Sequence, residues 1–388
     1  MRDSFLPYCR PDVGDEEIAA VAESMRNGWL TTGPQTQAFE REFAAACGVP
    51  HAVALNSCTA GLHLALLALG VGPGDEVIMP SLTFVAGAQC TIELGGRPVF
   101  CDVELDSYAA SVETIAPLVT SSTKAIVAMP YAGRPMGLRR LAEFARERGI
   151  ALVEDAAHGA GTLDEGRWPG AHSDAAVYSF YATKNLATGE GGMLVTHDAA
   201  LADRVRRLSL HGMSRDAWQR YADRGSWQYD VLEPGYKYNI TDLASSIGRV
   251  QLRRLEEMQR RRGQLAERYR KTLSEMPGIS LQQVPDGPGD RHSWCMFAIA
   301  IDEEQTGIGR DAVISGLKER NVGTSVHYIP SHQMSAYRGL ERPPLPNTER
   351  LGRTALSLPL YPGMSDADAG DVLQALAEVV GTRVTCRT

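Results

Sequence analysis

The chain has 388 residues, a formal net charge of −8 and seven cysteines. At about 150 residues per domain, this length predicts two or three domains, and 44% hydrophobic with 22% charged residues is the composition of a globular chain with a sizeable core. These values exclude a disordered chain, a collagen and a disulfide scaffold, and the acidic balance argues against nucleic acid or an anionic membrane as the main partner.

Short apolar runs alternate with helical patterns over the first 200 residues, which is the rhythm of a wound α/β sheet with helices on both faces. Several runs are apolar throughout, as fully buried strands are. The predicted strands are residues 52–55, 77–79, 99–103, 125–129, 150–154, 175–180 and 193–196. The helices predicted between them include residues 59–69, 83–94 and 138–148.

The pattern changes after about residue 241, where a long charged helix is predicted over residues 241–273. It is followed by predicted strands at 294–301 and 323–328 and by predicted helices at 310–320 and 367–380. We therefore expect a large α/β domain over residues 28–245. We expect a smaller α+β domain over residues 246–388, joined by residues 1–27.

The ends of the chain and its cysteines indicate where the protein works. The N-terminus has no apolar segment of the signal-peptide type, and no apolar stretch reaches the roughly 20 residues of a membrane helix. The cysteines are scattered and form no C-x-x-C pair, so they predict neither a zinc nor an iron–sulfur site. We expect a cytoplasmic protein with reduced thiols, no metal and no membrane partner.

Polar residues follow three of the predicted strands, at the edge where open α/β sheets bind ligands. The first set lies in residues 56–60, where Ser57 and Thr59 open a helix whose free amide groups favour an anion such as phosphate. The second is Asp155, because a buried carboxylate can hold a partner's proton and stabilise a cation. The alternatives are an ordinary helix cap for the first set and a structural cap for Asp155. His158, nearby, is on its own more often a satisfied core histidine than a catalyst.

The third set surrounds Lys184, between a strongly apolar strand and the glycine-rich residues 189–192. Only five of the 39 basic residues are lysines. A lysine here is either a surface residue with a buried stem or a partly desolvated amine that forms a Schiff base. No G-x-G-x-x-G or P-loop pattern is present, so a dinucleotide or P-loop nucleotide site has little support.

Together these residues suit one cofactor. Pyridoxal phosphate requires a lysine for its aldehyde, an acid for its ring nitrogen, an anion site for its phosphate and an apolar cover for its ring. Lys184 and Asp155 supply the first two. Ser57, Thr59 and Ser179 supply the third, and Phe84, at another strand end, supplies the cover.

Longer segments carry a resemblance to a known family. They are residues 28–34 (GWLTTGP), 72–78 (GPGDEVI), 154–158 (EDAAH), 179–185 (SFYATKN), 189–192 (GEGG) and 234–242 (PGYKYNITD). The chain resembles the DegT-type nucleotide-sugar aminotransferases of the pyridoxal-phosphate fold-type I superfamily. This resemblance implies a large domain with a mostly parallel mixed sheet flanked by helices, and a smaller α+β C-terminal domain.

The resemblance also implies roles for particular residues. Lys184 would bind the cofactor aldehyde and move the proton during transamination, while Asp155 would keep the pyridine nitrogen protonated. His158 would lie near the ring face or the phenolic oxygen, and Phe84 would stack on the ring. The phosphate would be held by Ser179 together with Ser57, Thr59 and Ala60 at the helix start.

Relatives in this family also share their sites between two subunits. The resemblance therefore implies a homodimer in which Lys237 or Asn239 reaches the partner's cofactor phosphate, and the choice between the two stays open. The substrate residues it implies are Trp29, Thr31, Thr32, His327, Tyr328 and His332. For the last three, ordinary strand and loop packing is the alternative.

The expected reaction moves an amino group from L-glutamate to a keto carbon of a nucleotide-linked deoxysugar. His158 and the segment 225–230 resemble the corresponding residues of enzymes that aminate 4-keto-6-deoxy sugars. Relatives that act on 3-keto sugars often carry Gln at the position of His158. The expected substrate is dTDP-4-keto-6-deoxyglucose, in antibiotic or cell-surface sugar biosynthesis. The alternatives are a 3-keto sugar or cyclitol aminotransferase, a pyridoxamine-dependent sugar dehydratase and a non-enzymatic sensor or binding protein with the same fold.

Overall fold

A mixed sheet forms the centre of the computed structural model, which describes residues 2–214 and 229–381. Within those residues the sheet has seven strands in the order β1-β7-β6-β5-β4-β2-β3. β7 is antiparallel to both of its neighbours, and the other pairs are parallel. The strands are β1 (His51–Leu55), β2 (Glu76–Pro80), β3 (Arg97–Cys101), β4 (Thr123–Ala128), β5 (Ala151–Asp155), β6 (Ala175–Ser179) and β7 (Gly192–Thr196). The predicted mostly parallel α/β sheet is confirmed, and each predicted strand of this region is present.

Helices cover both faces of this sheet. In chain order, the helices of this part of the chain are α1 (Asp15–Arg26), α2 (Pro34–Cys47), α3 (Cys58–Ala68), α4 (Ala86–Glu93), α5 (Val112–Ile115), α6 (Leu138–Glu147) and α7 (Ala199–Leu208). α3 is apolar on nearly all sides and is buried from Ala60 to Leu66, because it packs on the sheet with α4 and α7 beside it. This burial fixes the start of α3 at the edge of the sheet where β5 and β6 end.

A second, antiparallel sheet with the order β10-β9-β8 is formed by the C-terminal third of the chain. Its elements, with the long helix before them, are α8 (Asp242–Leu273), β8 (Ile279–Leu281), β9 (Phe297–Ile301), α9 (Glu303–Thr306), α10 (Arg310–Glu319), α11 (Pro346–Thr354), β10 (Ala355–Leu358) and α12 (Asp366–Val379). Leu6, from the N-terminal segment, packs into the core of this region.

Helix α8 connects the two cores. Leu252 packs against the cluster around Phe39 and Phe180, whereas Leu265 and Tyr269 belong to the core of the small sheet. The division between residues 245 and 246 stays a prediction, and it falls inside the first turn of this helix.

The strand predicted over residues 323–328 is wrong. Ser325 pairs with Ser357 of β10 through two backbone hydrogen bonds of 3.1 and 2.8 Å, but this is an isolated bridge. After it the chain leaves the sheet, and His327 and Tyr328 line a cavity next to the large sheet. In a strand, successive side chains point to opposite faces of the sheet. His327 and Tyr328 are consecutive and both line the same cavity, so they do not follow the strand pattern.

Among residues 2–214 and 229–381, no helix has the length and apolar character needed to span a membrane. Over the same residues, no group of histidine, cysteine and acidic side chains is arranged to hold a metal ion.

Candidate active site

A cavity of about 430 Å³ lies at the carboxyl ends of β5 and β6, beside the start of α3. The residues assigned from sequence to the cofactor that line it are Ser57, Thr59, Phe84, Asp155, Ser179 and Lys184. His327 and Tyr328, from the predicted substrate set, form another part of its wall. A larger cleft of about 650 Å³, between Tyr108 and Arg350, is lined by none of these residues. We therefore place the chemistry in the smaller cavity, where the reactive groups converge.

Lys184 is held in the turn that follows β6. Its backbone N–H donates to the carbonyl of Tyr181 at 2.9 Å. The next residue, the buried Asn185, donates its side-chain amide to the carbonyls of Ala160 at 3.2 Å and Ser293 at 2.8 Å. Asn185 thus fastens the loop to both halves of the chain, and this fixes the partly buried Lys184 on the cavity wall.

Asp155, the last residue of β5, is a buried carboxylate with 4% of its surface exposed. Its Oδ1 accepts the backbone N–H of Ala157 at 3.2 Å and the thiol of Cys58 at 3.6 Å. Burial raises the pKa of Asp155, and the Ala157 amide and the charge of Lys184 act in the opposite direction. A cation placed against this carboxylate would offset the cost of its burial.

The start of α3 is shaped to receive an anion. Ser57 is its N-cap, and the Ser57 Oγ accepts the N–H of Ala60 at 3.0 Å. The Ala60 amide is therefore already engaged in the single chain. The N–H groups of Cys58 and Thr59 belong to the first turn, where a helix offers no carbonyl acceptor, so they suit an anion. Ser179 adds a hydroxyl from the end of β6.

Among the described residues that line the cavity, Tyr328 is present and His158 is not. His158 lies 1% exposed, with its Nε2 2.9 Å from the Tyr328 hydroxyl and its ring within 4° of parallel to the tyrosine ring. Burial, followed by the nearby charge of Lys184, lowers the pKa of His158 well below its usual value. His158 is thus a neutral imidazole that reaches the cavity through Tyr328.

His327 is also neutral. Its Nδ1 lies 2.9 Å from the Oγ of Ser357. Burial, with a contribution from Lys184, lowers the pKa of His327 to about 4. Lys184 is the only lysine or arginine among the described residues that line the cavity.

Other predicted site residues lie away from this lining in the single chain. The Oγ1 of Thr32 donates to the Ile240 carbonyl at 2.5 Å and accepts the Asn239 amide at 2.7 Å. Lys237 donates in turn to the Oδ1 of Asn239. Trp29 and Thr31 precede this group in sequence, and neither is among the residues that line the cavity, within the described part of the chain.

His332 is not among the described residues that line the cavity. Its side chain is buried and lies 2.7 Å from the Oγ of Ser81, which follows β2. This contact joins the small region to the large sheet, so the packing alternative describes His332 in this structure. In the segment 225–230, which supported the 4-keto preference, residues 225–228 lie outside the described residues.

Sequence reasoning gave no role to several lining residues. Met129, directly after β4, could have been found by the same strand-end argument that found Asp155. Tyr181 and Glu190 lie in the segments that carried the resemblance, but their side chains gave no separate signal. Cys58 also lines the cavity, and the contact of its thiol with Asp155 could not be read from the sequence.

The fold and the cavity together define a class of protein. A lysine and a buried carboxylate at neighbouring strand ends of a mixed α/β sheet are the arrangement of fold-type I proteins that bind pyridoxal phosphate. The model of the DegT/DnrJ/EryC1/StrS aminotransferase family matches residues 11–377, and the chain belongs to that family.

Individual relatives agree with this assignment. The chain is 46% identical over 383 residues to the spore coat polysaccharide biosynthesis protein SpsC of Bacillus subtilis (strain 168), covering 98% of each chain. The Spr1654 protein of Streptococcus pneumoniae, solved in PLP and PMP forms, superposes with a TM-score of 0.89 at 29% identity, over 97% of this chain and 99% of that one. DesI, solved in the presence of its TDP-sugar product, gives a TM-score of 0.86 at 32% identity, over 98% of this chain and 94% of that one.

The protein is thus a sugar aminotransferase that depends on pyridoxal phosphate, and the predicted family and cofactor are confirmed. The residues in the cavity fit that cofactor. Asp155 is a buried carboxylate whose raised pKa calls for a cationic partner, and Lys184 is an amine on the same wall. The first turn of α3 and Ser179 offer donors to a phosphate.

Proposed function

We propose that the protein transfers the amino group of L-glutamate to the keto carbon of dTDP-4-keto-6-deoxyglucose, giving a dTDP-4-amino-4,6-dideoxy sugar. The observation that carries this proposal is the match to DesI, which spans 98% of the chain and was solved with a TDP-sugar product. The similarity to SpsC, named for spore coat polysaccharide biosynthesis, supports a role in making antibiotic or cell-surface sugars.

The side chains would divide the work of binding and proton transfer. When bound, pyridoxal phosphate supplies an aldehyde that takes up the amino group and a ring that accepts an electron pair. The Nζ of Lys184 would move the proton in both half-reactions, which predicts ping-pong kinetics. Asp155 would hold the positive charge of the ring nitrogen in place, because its own carboxylate is buried and gains a cationic partner.

Other residues would hold the cofactor in position. Ser57, Thr59 and Ser179 would bind the phosphate, with the free amide groups at the start of α3. Phe84 would cover the ring, and its ring centroid lies 6.2 Å from that of Tyr328. By holding the cofactor in one position, these side chains would keep it within reach of Lys184, which is the positioning that transfer requires.

We further propose a cytoplasmic homodimer with shared sites. Phe84 is 56% exposed in the single chain although it lines the cavity, and Val231 and Leu232 are 52% and 59% exposed. A second subunit placed there would cover this apolar surface. Both ends of the Asn239 side-chain amide are engaged, by Thr32 and by Lys237. Lys237 keeps two further N–H groups and Asn239 keeps one, and only Lys237 has a side chain that can carry a positive charge, so we assign to Lys237 the contact with the partner's phosphate.

The experiment that tests the substrate class uses purified holoenzyme. L-Glutamate is added, then 4-keto dTDP-sugars, 3-keto dTDP-sugars and a keto cyclitol in turn, and products are identified by mass spectrometry. We expect the 4-keto sugar to be aminated. Amination of only the 3-keto sugar or the cyclitol would replace the proposed substrate, and no amination of any acceptor would reject the substrate class.

A matched pair of variants tests the role of the lysine. Lys184→Ala should abolish turnover, whereas Lys318→Ala, which changes an exposed lysine on α10, should leave turnover unchanged. Full turnover in the Lys184→Ala variant would show that the assignment of the acid–base group is wrong.

A further inference from the structure

The pairing of His158 with Tyr328 determines where the protons lie. The backbone N–H of Ala132 points to the Nδ1 of His158 at 3.3 Å, so Nδ1 must be an acceptor. A neutral imidazole that accepts at Nδ1 carries its one proton on Nε2. Since burial keeps His158 neutral, the Nε2–H group is the donor in the 2.9 Å contact with the Tyr328 hydroxyl.

This assignment leaves the phenol proton of Tyr328 without a partner among the residues that the structure describes. A phenol has one O–H to donate, and its oxygen already accepts from His158. Within residues 2–214 and 229–381, the Tyr328 hydroxyl has no other hydrogen-bond partner. Because Tyr328 lines the cavity that holds Lys184 and Asp155, its free O–H is available to a ligand in that cavity.

We propose that Tyr328 donates its phenol proton to an oxygen of the ligand bound in this cavity, and that His158 is the positioning residue which keeps Tyr328 a donor. The acceptor is an oxygen of the bound cofactor or the keto oxygen of the sugar, and the experiment below separates the two. The identity of these ligands rests on the proposed function. In this arrangement His158 acts through Tyr328, whereas the resemblance implied only that it lies near the ring face or the phenolic oxygen of the cofactor.

The surroundings of Tyr328 agree with a donor rather than an acid that ionises. Burial raises the pKa of Tyr328 well above its usual value, and the nearby ionisable groups Tyr131, Asp155, Cys295 and Tyr8 act in the same direction. The phenol therefore stays protonated throughout the working range of pH. While His158 is neutral it cannot exchange roles with Tyr328, because the backbone amide of Ala132 occupies Nδ1 as an acceptor and leaves the proton on Nε2.

The experiment compares four variants of the full-length protein. Tyr328→Phe removes the donor, His158→Leu removes the group that positions it, and His158→Gln retains an N–H that can replace Nε2–H. Tyr337→Phe is the control, because it removes a buried phenol hydroxyl that lies 3.3 Å from Gln89 and outside the cavity. Thermal unfolding of each apoprotein checks that the fold is retained.

Three measurements are made. Nitrogen NMR of holoenzyme labelled at histidine, assigned with the His158 variants, reports which ring nitrogen carries the proton. Equilibrium binding of pyridoxal phosphate to the apoprotein reports the cofactor contact. The value of kcat/KM for the keto sugar, in the second half-reaction, reports the substrate contact.

We expect a neutral His158 protonated at Nε2, and about a tenfold loss for Tyr328→Phe in either cofactor affinity or sugar kcat/KM. A loss of cofactor affinity identifies the cofactor as the acceptor. A loss confined to kcat/KM for the keto sugar identifies the sugar. His158→Leu should follow Tyr328→Phe. His158→Gln should recover to within about threefold of wild type, and Tyr337→Phe should match wild type.

Two results would overturn the proposal. One is a His158 protonated at Nδ1, and the other is a Tyr328→Phe variant that changes neither binding nor sugar kcat/KM by more than about twofold. Because the NMR and cofactor measurements use no sugar, they remain decisive if the wild type aminates no keto sugar. In that case the proposed function fails, and an unchanged cofactor affinity in Tyr328→Phe also overturns this inference.

Discussion

Replacement of Asp155 by Asn tests the electrostatic basis of the site. Asn has nearly the same size, and its oxygen can still accept the Ala157 amide that Asp155 accepts at 3.2 Å. The change therefore removes a charge while keeping the local backbone contact. What is lost is the attraction between a buried carboxylate and the positive ring nitrogen of the cofactor.

The size of this loss follows from the burial of Asp155. Two unit charges about 4 Å apart attract by about 4 kcal/mol at an effective dielectric constant of about 20. If that attraction is needed when electrons move into the ring, its removal slows the step by roughly a thousandfold. The assay records the visible absorption of the holoenzyme during a single turnover with L-glutamate.

The neighbouring residue provides the matched control. Glu154 is also buried, but its Oε1 accepts the Gly170 amide at 2.6 Å and the Ser173 hydroxyl at 2.7 Å, and it is not among the residues that line the cavity. Glu154→Gln keeps an oxygen for both bonds and should react at the wild-type rate. The reasoning is refuted if Asp155→Asn stays within about tenfold of wild type, or if Glu154→Gln is slowed as much.

Three more predictions concern stability and binding. Burial raises the pKa of Glu154 to about 7 from its ordinary 4.5. The contribution of Glu154 to the stability of the fold is therefore full below pH 4.5 and is lost as pH rises through 7. Glu154→Gln should therefore gain up to about 3 kcal/mol over wild type at pH 8 and nothing at pH 4.5 in denaturant titrations, and a pH-independent difference would contradict this. Phe84→Ala should weaken cofactor binding to the apoprotein about tenfold in equilibrium titrations. It should change the unfolding free energy of the dissociated single chain by less than about 1 kcal/mol, because the ring is 56% exposed there, and unchanged cofactor binding would contradict its role. Asp242→Ala should cost at least about 3 kcal/mol in urea unfolding, because its carboxylate accepts the amides of Gly33 and Thr36 at 2.7 and 2.9 Å, and a loss below about 1 kcal/mol would contradict this.

The main sheet was predictable because its strands are short, continuously apolar and separated by helical patterns. Each lies within about three residues of its predicted bounds. Strands that are buried on both faces are apolar throughout, so a short and continuously apolar run indicates such a strand. The segment at 323–328 is not apolar throughout, and its residues 324–328 are only partly buried. His327 and Tyr328 are used for the cavity, and this depends on contacts with residues far away in the sequence.

The candidate site was predictable to the extent that it depends on strand ends. Asp155 and Lys184 follow neighbouring strands, so topology alone brings them to one edge of the sheet. The position of His158 behind Tyr328 depends on a packing contact across 170 residues, which no local pattern contains. His332 was implied as a substrate residue only by the family resemblance, and in this structure it lies 2.7 Å from the Oγ of Ser81 and is not among the described residues that line the cavity.

The central claim is that this chain moves an amino group to a keto sugar. The most direct measurement incubates the holoenzyme with nitrogen-15-labelled L-glutamate and dTDP-4-keto-6-deoxyglucose and determines the mass of the sugar nucleotide formed. The account predicts an amino sugar that carries the heavy nitrogen, and no such product with Lys184→Ala. A wild-type enzyme that reacts with glutamate but leaves the sugar without the label would contradict it.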